Sequence, residues 1–459
     1  MSELLSPQDI TSAGLCIGCG SCVAQAAAPE VRMAFDRYGQ YKPHGPAAWQ
    51  RAQSASFTRT CPFSPAALTE DELAARFGAP AQRTALLGSF EAAYVGHVAE
   101  ADFRLQGSSG GLVTWVATEL LRQGLIDGVA HVVAVENPAA EGRYFRYRLA
   151  RTEAEVRAGA KSRYYPIELS EMLQAIRATP GRYAVVGLPC FIKAVHLLRR
   201  EDAVLRERIA FTLGLFCGHL KSARFAESFA WQLHVPPAVV AQVEYREKLP
   251  DRPANWYRAQ LTLRDGRQLS RDWWHLADGD WGAGFYMNSA CNFCDDVVAE
   301  TADIAFGDAW VEPYSSDGRG TNVVIVRSPL VQQLVASAMQ AGRLALQEVD
   351  AAFVEQTQAA GFRQRREGLA YRLTWARRGV RPRKRVAASA ALPRSRKLIY
   401  RLRYFISAAS HRVFWVARRV RRPALFLGWA RAVLAVYHGV AYHQGRVREM
   451  WARWKGLGE

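Results

Sequence analysis

The chain has 459 residues, 49% of them apolar, with 13 Trp, 17 Tyr and 20 Phe. That is enough to bury a sizeable core in more than one folded unit, and it excludes a disordered chain. Of its 60 Lys and Arg and 42 Asp and Glu, 25 and 3 fall in residues 361–459, leaving 35 basic against 39 acidic residues before them. The net charge of +18 therefore describes a basic tail on a slightly acidic body, and the body shows no preference for an acidic partner.

The first residues, Met1 to Gly14, lack a basic run followed by an apolar one, so no secretory signal is read there. Eight cysteines in a long chain without an export signal predict reduced thiolates serving as metal ligands in a cytoplasmic setting, rather than disulfides. Residues 1–85 carry four of them in Gly-, Pro- and Ala-rich sequence with little periodicity, which predicts a loop-rich unit held by something other than an apolar core. The most specific signal is Cys16-Ile-Gly-Cys19-Gly-Ser-Cys22, with Cys61-Pro62 following. Two-residue spacers let three thiolates converge from one tight loop, each on a different iron of a cubane, and a distant Cys-Pro supplies the fourth. Gly18 and Gly20 relieve crowding where the backbone turns toward the sulfurs. Zinc is the competing ligand, although three cysteines at this spacing are less usual for it. The expectation is a ferredoxin-like 4Fe-4S unit.

Residues 86–360 alternate strand-like and helix-like runs, which predicts an α/β core with part of its sheet parallel. The expected strands are Ala92–Val98, Val129–Val135, Tyr183–Val186, Ile209–Phe216, Ile304–Phe306 and Val323–Val326. Helical patterns fall at Leu112–Arg122, Ile192–Arg199, Ala223–Leu233 and Leu330–Ala341. Over Tyr257–Trp274 two alternating runs meet at Asp265-Gly266, an antiparallel hairpin inserted in the core.

Several stretches of this core carry possible chemistry. Gln106-Gly-Ser108-Ser109-Gly110-Gly111-Leu112 opens a helix, where free backbone N–H groups and the helix dipole suit a flavin phosphate; a plain N-cap is the alternative. Lys161-Ser162-Arg-Tyr164-Tyr165 offers cations, a hydroxyl and aromatics for a cofactor, or is a solvated loop. Gly307-Asp308 gives close backbone approach and a carboxylate at a strand end, or an ordinary turn. Cys190, after Gly187-Leu-Pro, and Cys217 both follow strands, and Cys291-Asn-Phe-Cys294 adds a pair. Strand ends share a rim, so these four form a second candidate quartet. The alternative is ordinary buried thiols. No hydrolase triad, nucleotide P-loop or zinc-protease pattern is present.

Residues 361–459 form the basic tail. Leu398, Leu402, Phe405, Ala409, Val413, Val416 and Val420 recur at helical spacing, with Arg401, Arg403, Arg412, Arg418 and Arg419 mostly between them. That is a basic amphipathic helix. Pro423 breaks it, and the apolar Ala424–Tyr442 follows, interrupted by Arg431 and His438. The pair reads as a peripheral anchor on the anionic inner face of a membrane, or as helices packed on the body with a solvated basic face. No recognised nucleic-acid module accompanies the charges.

The motifs Cys16–Cys22, Cys61-Pro62, Gly107–Gly111, Gly187–Cys190, Cys291–Cys294 and Ala302-Asp-Ile-Ala-Phe-Gly-Asp308, in this order, resemble the coenzyme F-420 hydrogenase/dehydrogenase beta subunit family. The resemblance spans residues 16–308 and leaves out the tail. It implies an iron–sulfur flavoprotein oxidoreductase with FAD and one or two 4Fe-4S clusters. Flavin contacts would come from Ser109, Gly110, Gly111 and the stretch Lys161–Tyr164. There Gly159-Ala-Lys161-Ser-Arg-Tyr164 departs from the family's usual Gly-Ser-Lys-Tyr. The implied partner is a deazaflavin-like small molecule or a redox protein. The alternative is an electron-transfer subunit without its own substrate site, and relatives also accompany surface-polysaccharide synthesis.

Overall fold

The computed structural model describes residues 4–442 apart from 27 and 79, so residues 443–459 of the expected tail lie outside the described residues. After two short antiparallel ribbons, Arg32–Phe35 with Tyr41–His44 and Gln82–Thr84 with Gly88–Phe90, its strands from residue 92 onward are β1 (Ala92–Val98), β2 (Gly128–Ala134), β3 (Phe145–Ala150), β4 (Tyr183–Gly187) and β5 (Ile209–Leu215). They continue with β6 (Val240–Glu247), β7 (Arg258–Leu263), β8 (Gln268–Asp272), β9 (Ile304–Asp308), β10 (Asn322–Val326) and β11 (Leu344–Glu348). Eight of these form one mixed sheet in the order β11-β1-β10-β9-β5-β4-β2-β3. The central pairs β9/β5, β5/β4 and β4/β2 are parallel, and the flanking pairs are antiparallel. The fold is α/β with an antiparallel insertion, as the sequence predicts. The insertion is larger than a hairpin, because β6 pairs with β7 to make a three-stranded sheet.

Alternation along the strands sends successive side chains to opposite faces. On β4, Ala184 and Val186 join the core beneath helix α1 (Leu112–Arg122), while Tyr183 and Val185 face the other side. Helix α2 (Pro189–Glu201) starts on Pro189 two residues after β4, its fixed φ suiting the first turn, and buries nine residues on that second side. The N-terminal cysteine segment has no separate core. Leu5, Ile10, Ile17, Phe57 and Phe63 pack in one cluster with Tyr165, Leu169 and Phe191 of the body.

The contacts also run past residue 360. Residues 359–373 form two short helices against the Cys291–Cys294 segment, and residues 384–385 form ion pairs with Asp295 and Glu300. Two long helices follow, α3 (Arg394–Arg419) and α4 (Pro423–Ala441), joined by a turn with Arg421 at φ 54°.

Candidate functional site

β1, β4, β5 and β9 end at the same rim of the sheet. There the structure gathers the Gly-rich loop after β1, Cys190 after β4, Cys217 after β5 and Asp308 at the end of β9. The rim beyond the carboxyl ends of parallel strands is where α/β sheets accommodate ligands.

The Gly107–Gly111 loop is held close against the strands. A Cβ on Gly110 would come within 2.7 Å of Gly96 O and 2.9 Å of Asn322 N, and Gly111 sits at φ 88° as the N-cap of α1. Asn322 Oδ1 accepts from Leu112 N–H at 3.2 Å, and Ser109 Oγ donates to Thr321 O at 2.9 Å. Gly111 itself offers no side-chain cap, so Asn322 supplies a side-chain acceptor at the positive end of this helix. The second expected stretch joins the first, since Ser162 N–H donates to Ser108 Oγ at 2.8 Å. Lys161 adopts φ 128°, a strained conformation for a side-chain-bearing residue, and its ammonium pKa is lowered by burial with Arg163 and Arg246 nearby.

Lys248, which the sequence reading did not single out, donates to Ser109 O at 2.8 Å and Arg319 O at 2.7 Å, and also to Arg104 O. Burial, followed by the charges of Lys161, Arg246 and Arg104, brings its pKa down to about 7. Asp308 is bound by the buried Arg246 at 2.9 and 3.2 Å, and that guanidinium lies over the Tyr257 ring at 4.2 Å. Asp308 is thus already paired at the rim. Tyr164 lies among Tyr245, Trp273 and Trp281, with its ring centroid 4.8 Å from that of Trp281.

Cys16, Cys19, Cys22 and Cys61 meet beside this rim. Gly18 at φ 82° and Gly20 at φ 83° turn the chain where side chains would not fit: a Cβ would lie 2.7 Å from Tyr41 O and 2.5 Å from Glu168 Oε2 respectively. Lys42 Nζ donates to Cys16 O at 2.7 Å. Burial pushes the Cys19 thiol up to about 11 and Cys61 higher. Cys22 rises through burial and the neighbouring Cys19, Cys16 and Cys61.

The other four cysteines come from three separate stretches and line one small, tight cavity of about 10 Å³, together with Ile17, Phe63 and Arg365. Burial raises Cys190, Cys217 and Cys291, the last two to about 12 and 11, and each feels the charge of others in the set. Arg365 is buried and donates to Gly218 O at 2.8 Å and Cys217 O at 3.1 Å, with Cys217 Sγ 4.0 Å away. Burial opposes its charge, but Cys294, Cys217, Cys291 and Cys190 together raise its pKa above the ordinary value. Ile17 and Phe63 belong to the first cysteine segment, so the two quartets are neighbours. His219 stacks on Trp281 at 4.2 Å, which links the second quartet through Trp281 to Tyr164.

Among the described residues, no three His, Cys, Asp or Glu side chains gather as closely as one ion requires. A cubane sets a different demand, since each thiolate binds its own corner iron and the four stand further apart. The donor sets have the chemistry a cubane takes, all sulfur and four to a site, and Arg365 would offset the negative charge such a site carries. Arg365 lay in the stretch read as tail. Its signal was the helical spacing of Phe362, Arg365, Leu369 and Arg372, arginines on an apolar face.

No curated protein matches the chain. A chain of the F-420-reducing nickel–iron hydrogenase complex from Methanosarcina barkeri has a similar fold, with a TM-score of 0.50 at 17% identity. The match covers 66% of this chain and 99% of that one. The model of the coenzyme F-420 hydrogenase/dehydrogenase beta subunit N-terminus matches residues 93–174, and that of its C-terminus matches residues 181–352. Together these take in the sheet, the Gly-rich loop and the second cysteine quartet, and the chain belongs to the coenzyme F-420 hydrogenase/dehydrogenase beta subunit family of oxidoreductases.

Proposed function

We propose that this chain is an iron–sulfur flavoprotein that moves electrons between two 4Fe-4S clusters and FAD to reduce or oxidise a deazaflavin or another conjugated substrate. The observation that carries the reading is the convergence of Cys190, Cys217, Cys291 and Cys294 on one cavity beside a buried arginine. Three buried thiols and one half-buried thiol around a cavity make a good soft-ligand set. Cys16, Cys19, Cys22 and Cys61 would hold the first cluster. The Ser108–Gly111 loop, the α1 N-terminus and the Lys161–Tyr164 stretch would hold the flavin phosphates. Clusters supply one-electron steps, and a flavin pairs two electrons for hydride-type chemistry.

The chain's own residues do the positioning. Lys248 and Asn322 fix the glycine loop, Arg246 and Asp308 fix the rim beside Tyr164, and Trp281 separates the flavin stretch from the second quartet. Iron, sulfide and flavin measured per chain after anaerobic purification test the reading. About eight irons and one FAD support it. About four irons would leave the second quartet without a cluster, and zinc in place of iron would overturn the redox reading.

A second reading, an electron-transfer subunit whose substrate site lies on another chain, is favoured by the similar fold's belonging to a hydrogenase complex. Copurification with a second protein, together with slow flavin reduction by small donors in isolation, would select it.

A further inference from the structure

Helices α3 and α4 each have two distinct faces. On the inner face of α3, Tyr400, Ser407, Ser410, Phe414 and Ala417 are buried against the body. Ser410 Oγ accepts from Tyr286 N–H at 2.9 Å, Ser407 Oγ donates to Met287 O at 3.1 Å, and Phe414 stacks on Trp231 at 4.2 Å. A second face carries Leu398, Phe405, Val416 and Val420, exposed, with Leu402, Ala409 and Val413 half-buried along its edge, spaced to fall on one stripe. Phe405 is 54% exposed and Val420 49%, and Leu425 at the start of α4 is 50% exposed. So Leu398, Phe405, Val416 and Val420 of the stripe that the sequence shows as apolar are turned to solvent, while Leu402 and Val413 at its edge pack on the body.

The charge around this surface has one sign. Residues 394–442 contain 11 Lys and Arg and no Asp or Glu. Among the described residues only Arg396 and Arg418 of that set pair with carboxylates, those of Glu367 and Glu227. Arg401, Arg412 and Arg419 flank the apolar stripe, and Arg421 and Arg422 occupy the turn.

We propose that the outward face of this helical hairpin docks in the plane of an anionic lipid leaflet. The apolar stripe enters the acyl boundary and the arginines pair with phosphate and carboxylate headgroups. Charge complementarity chooses this occupant: a row of exposed apolar side chains bordered by cations and free of acidic residues matches a surface that is apolar below and anionic above. Pro423–Ala441 has the length and composition to cross a membrane. It lies flat instead, because Phe426, Ala430 and Tyr437 are buried on the body, His438 Nε2 contacts Asp280 at 2.7 Å and Arg431 is exposed on its outer side.

The test is sedimentation of the full-length chain with vesicles of phosphatidylcholine alone and of phosphatidylcholine mixed with phosphatidylserine. The expected result is binding to the mixed vesicles that weakens with salt. Arg412→Ala with Arg419→Ala should reduce partitioning about 30-fold, from the contribution of each cation near an anionic surface. Phe405→Ser with Val420→Ser should reduce it at least about tenfold, with the circular dichroism spectrum unchanged because both side chains face solvent. Failure to bind mixed vesicles overturns the proposal. So does binding that Phe405→Ser with Val420→Ser leaves intact while polynucleotide competes for it, which would make the surface a nucleic-acid face. Vesicle binding is read without iron, flavin or turnover, so neither result bears on the redox reading.

Discussion

Gly18 shows how a single residue sets the geometry of a cysteine loop. Its left-handed backbone and the 2.7 Å approach of its missing Cβ to Tyr41 O leave no room for a side chain against backbone that cannot move aside. Gly18→Ala should therefore cost about 1–3 kcal/mol and lower the melting temperature, with fewer irons retained per chain. Arg365 is the second such residue. Replacing it with Gln removes a buried cation in contact with the second quartet while keeping a polar side chain. Iron in Arg365→Gln should fall toward half of the wild-type content, with the Cys16 quartet still loaded, as electron paramagnetic resonance of the reduced protein would report. At this scale the gathering of the first four cysteines was legible in the sequence, because all but Cys61 sit within a single short loop. Arg365 was not, since its ligand-side neighbours Cys217 and Cys291 are distant in sequence and only the folded sheet brings them together. Lys248 was missed for a similar reason: it acts on backbone carbonyls, which leave no mark in sequence.

Among the elements, the junction of β1, α1 and β11 is tied by charge. Arg343, just before β11, binds Glu100 and also Glu119 of α1 at 2.6 Å, while Arg122 reaches Glu100 at 2.8 Å and Trp115 Nε1 donates to it at 2.9 Å. Hydrogen bonding from Arg343 comes first among the causes that hold the Glu100 pKa down at about 2. An unfolded glutamate titrates near 4.3, so the stabilisation is complete above that pH and is lost as pH falls toward 2. Glu100→Gln should melt lower than wild type at neutral pH, with the difference shrinking between about pH 4 and pH 2. The central strands were legible because buried parallel strands read as β-branched runs. The edge strands Phe145–Ala150 and Leu344–Glu348 were not, because each mixes its apolar residues with charged or polar ones on the exposed face. The third strand of the insertion, Val240–Glu247, lacked a nearby turn signal to announce its pairing with β7.

For the whole molecule, the charge count that separates body from tail does not mark a physical boundary at residue 360. Lys384 pairs with Asp295 at 3.2 Å and lies over the Phe63 ring at 5.2 Å, and Arg385 pairs with Glu300 at 2.6 Å. A chain ending at residue 360 should therefore lose iron from the second quartet and melt well below the full chain, as iron analysis and calorimetry would show. It should not behave as an intact body without its anchor. Part of the basic excess is structural charge compensation, and the exposed arginines of α3 and α4 remain for a surface. Arg365 also fixes an order of events during synthesis. The ribosome has released every ligand of the Cys16 quartet once residue 61 emerges. The cavity of the second quartet lacks Arg365 until that residue follows, and the ion pairs of Lys384 and Arg385 until later still. On the proposed reading the second site would be completed later than the first, and a chain stalled before residue 365 would hold iron at the first quartet alone.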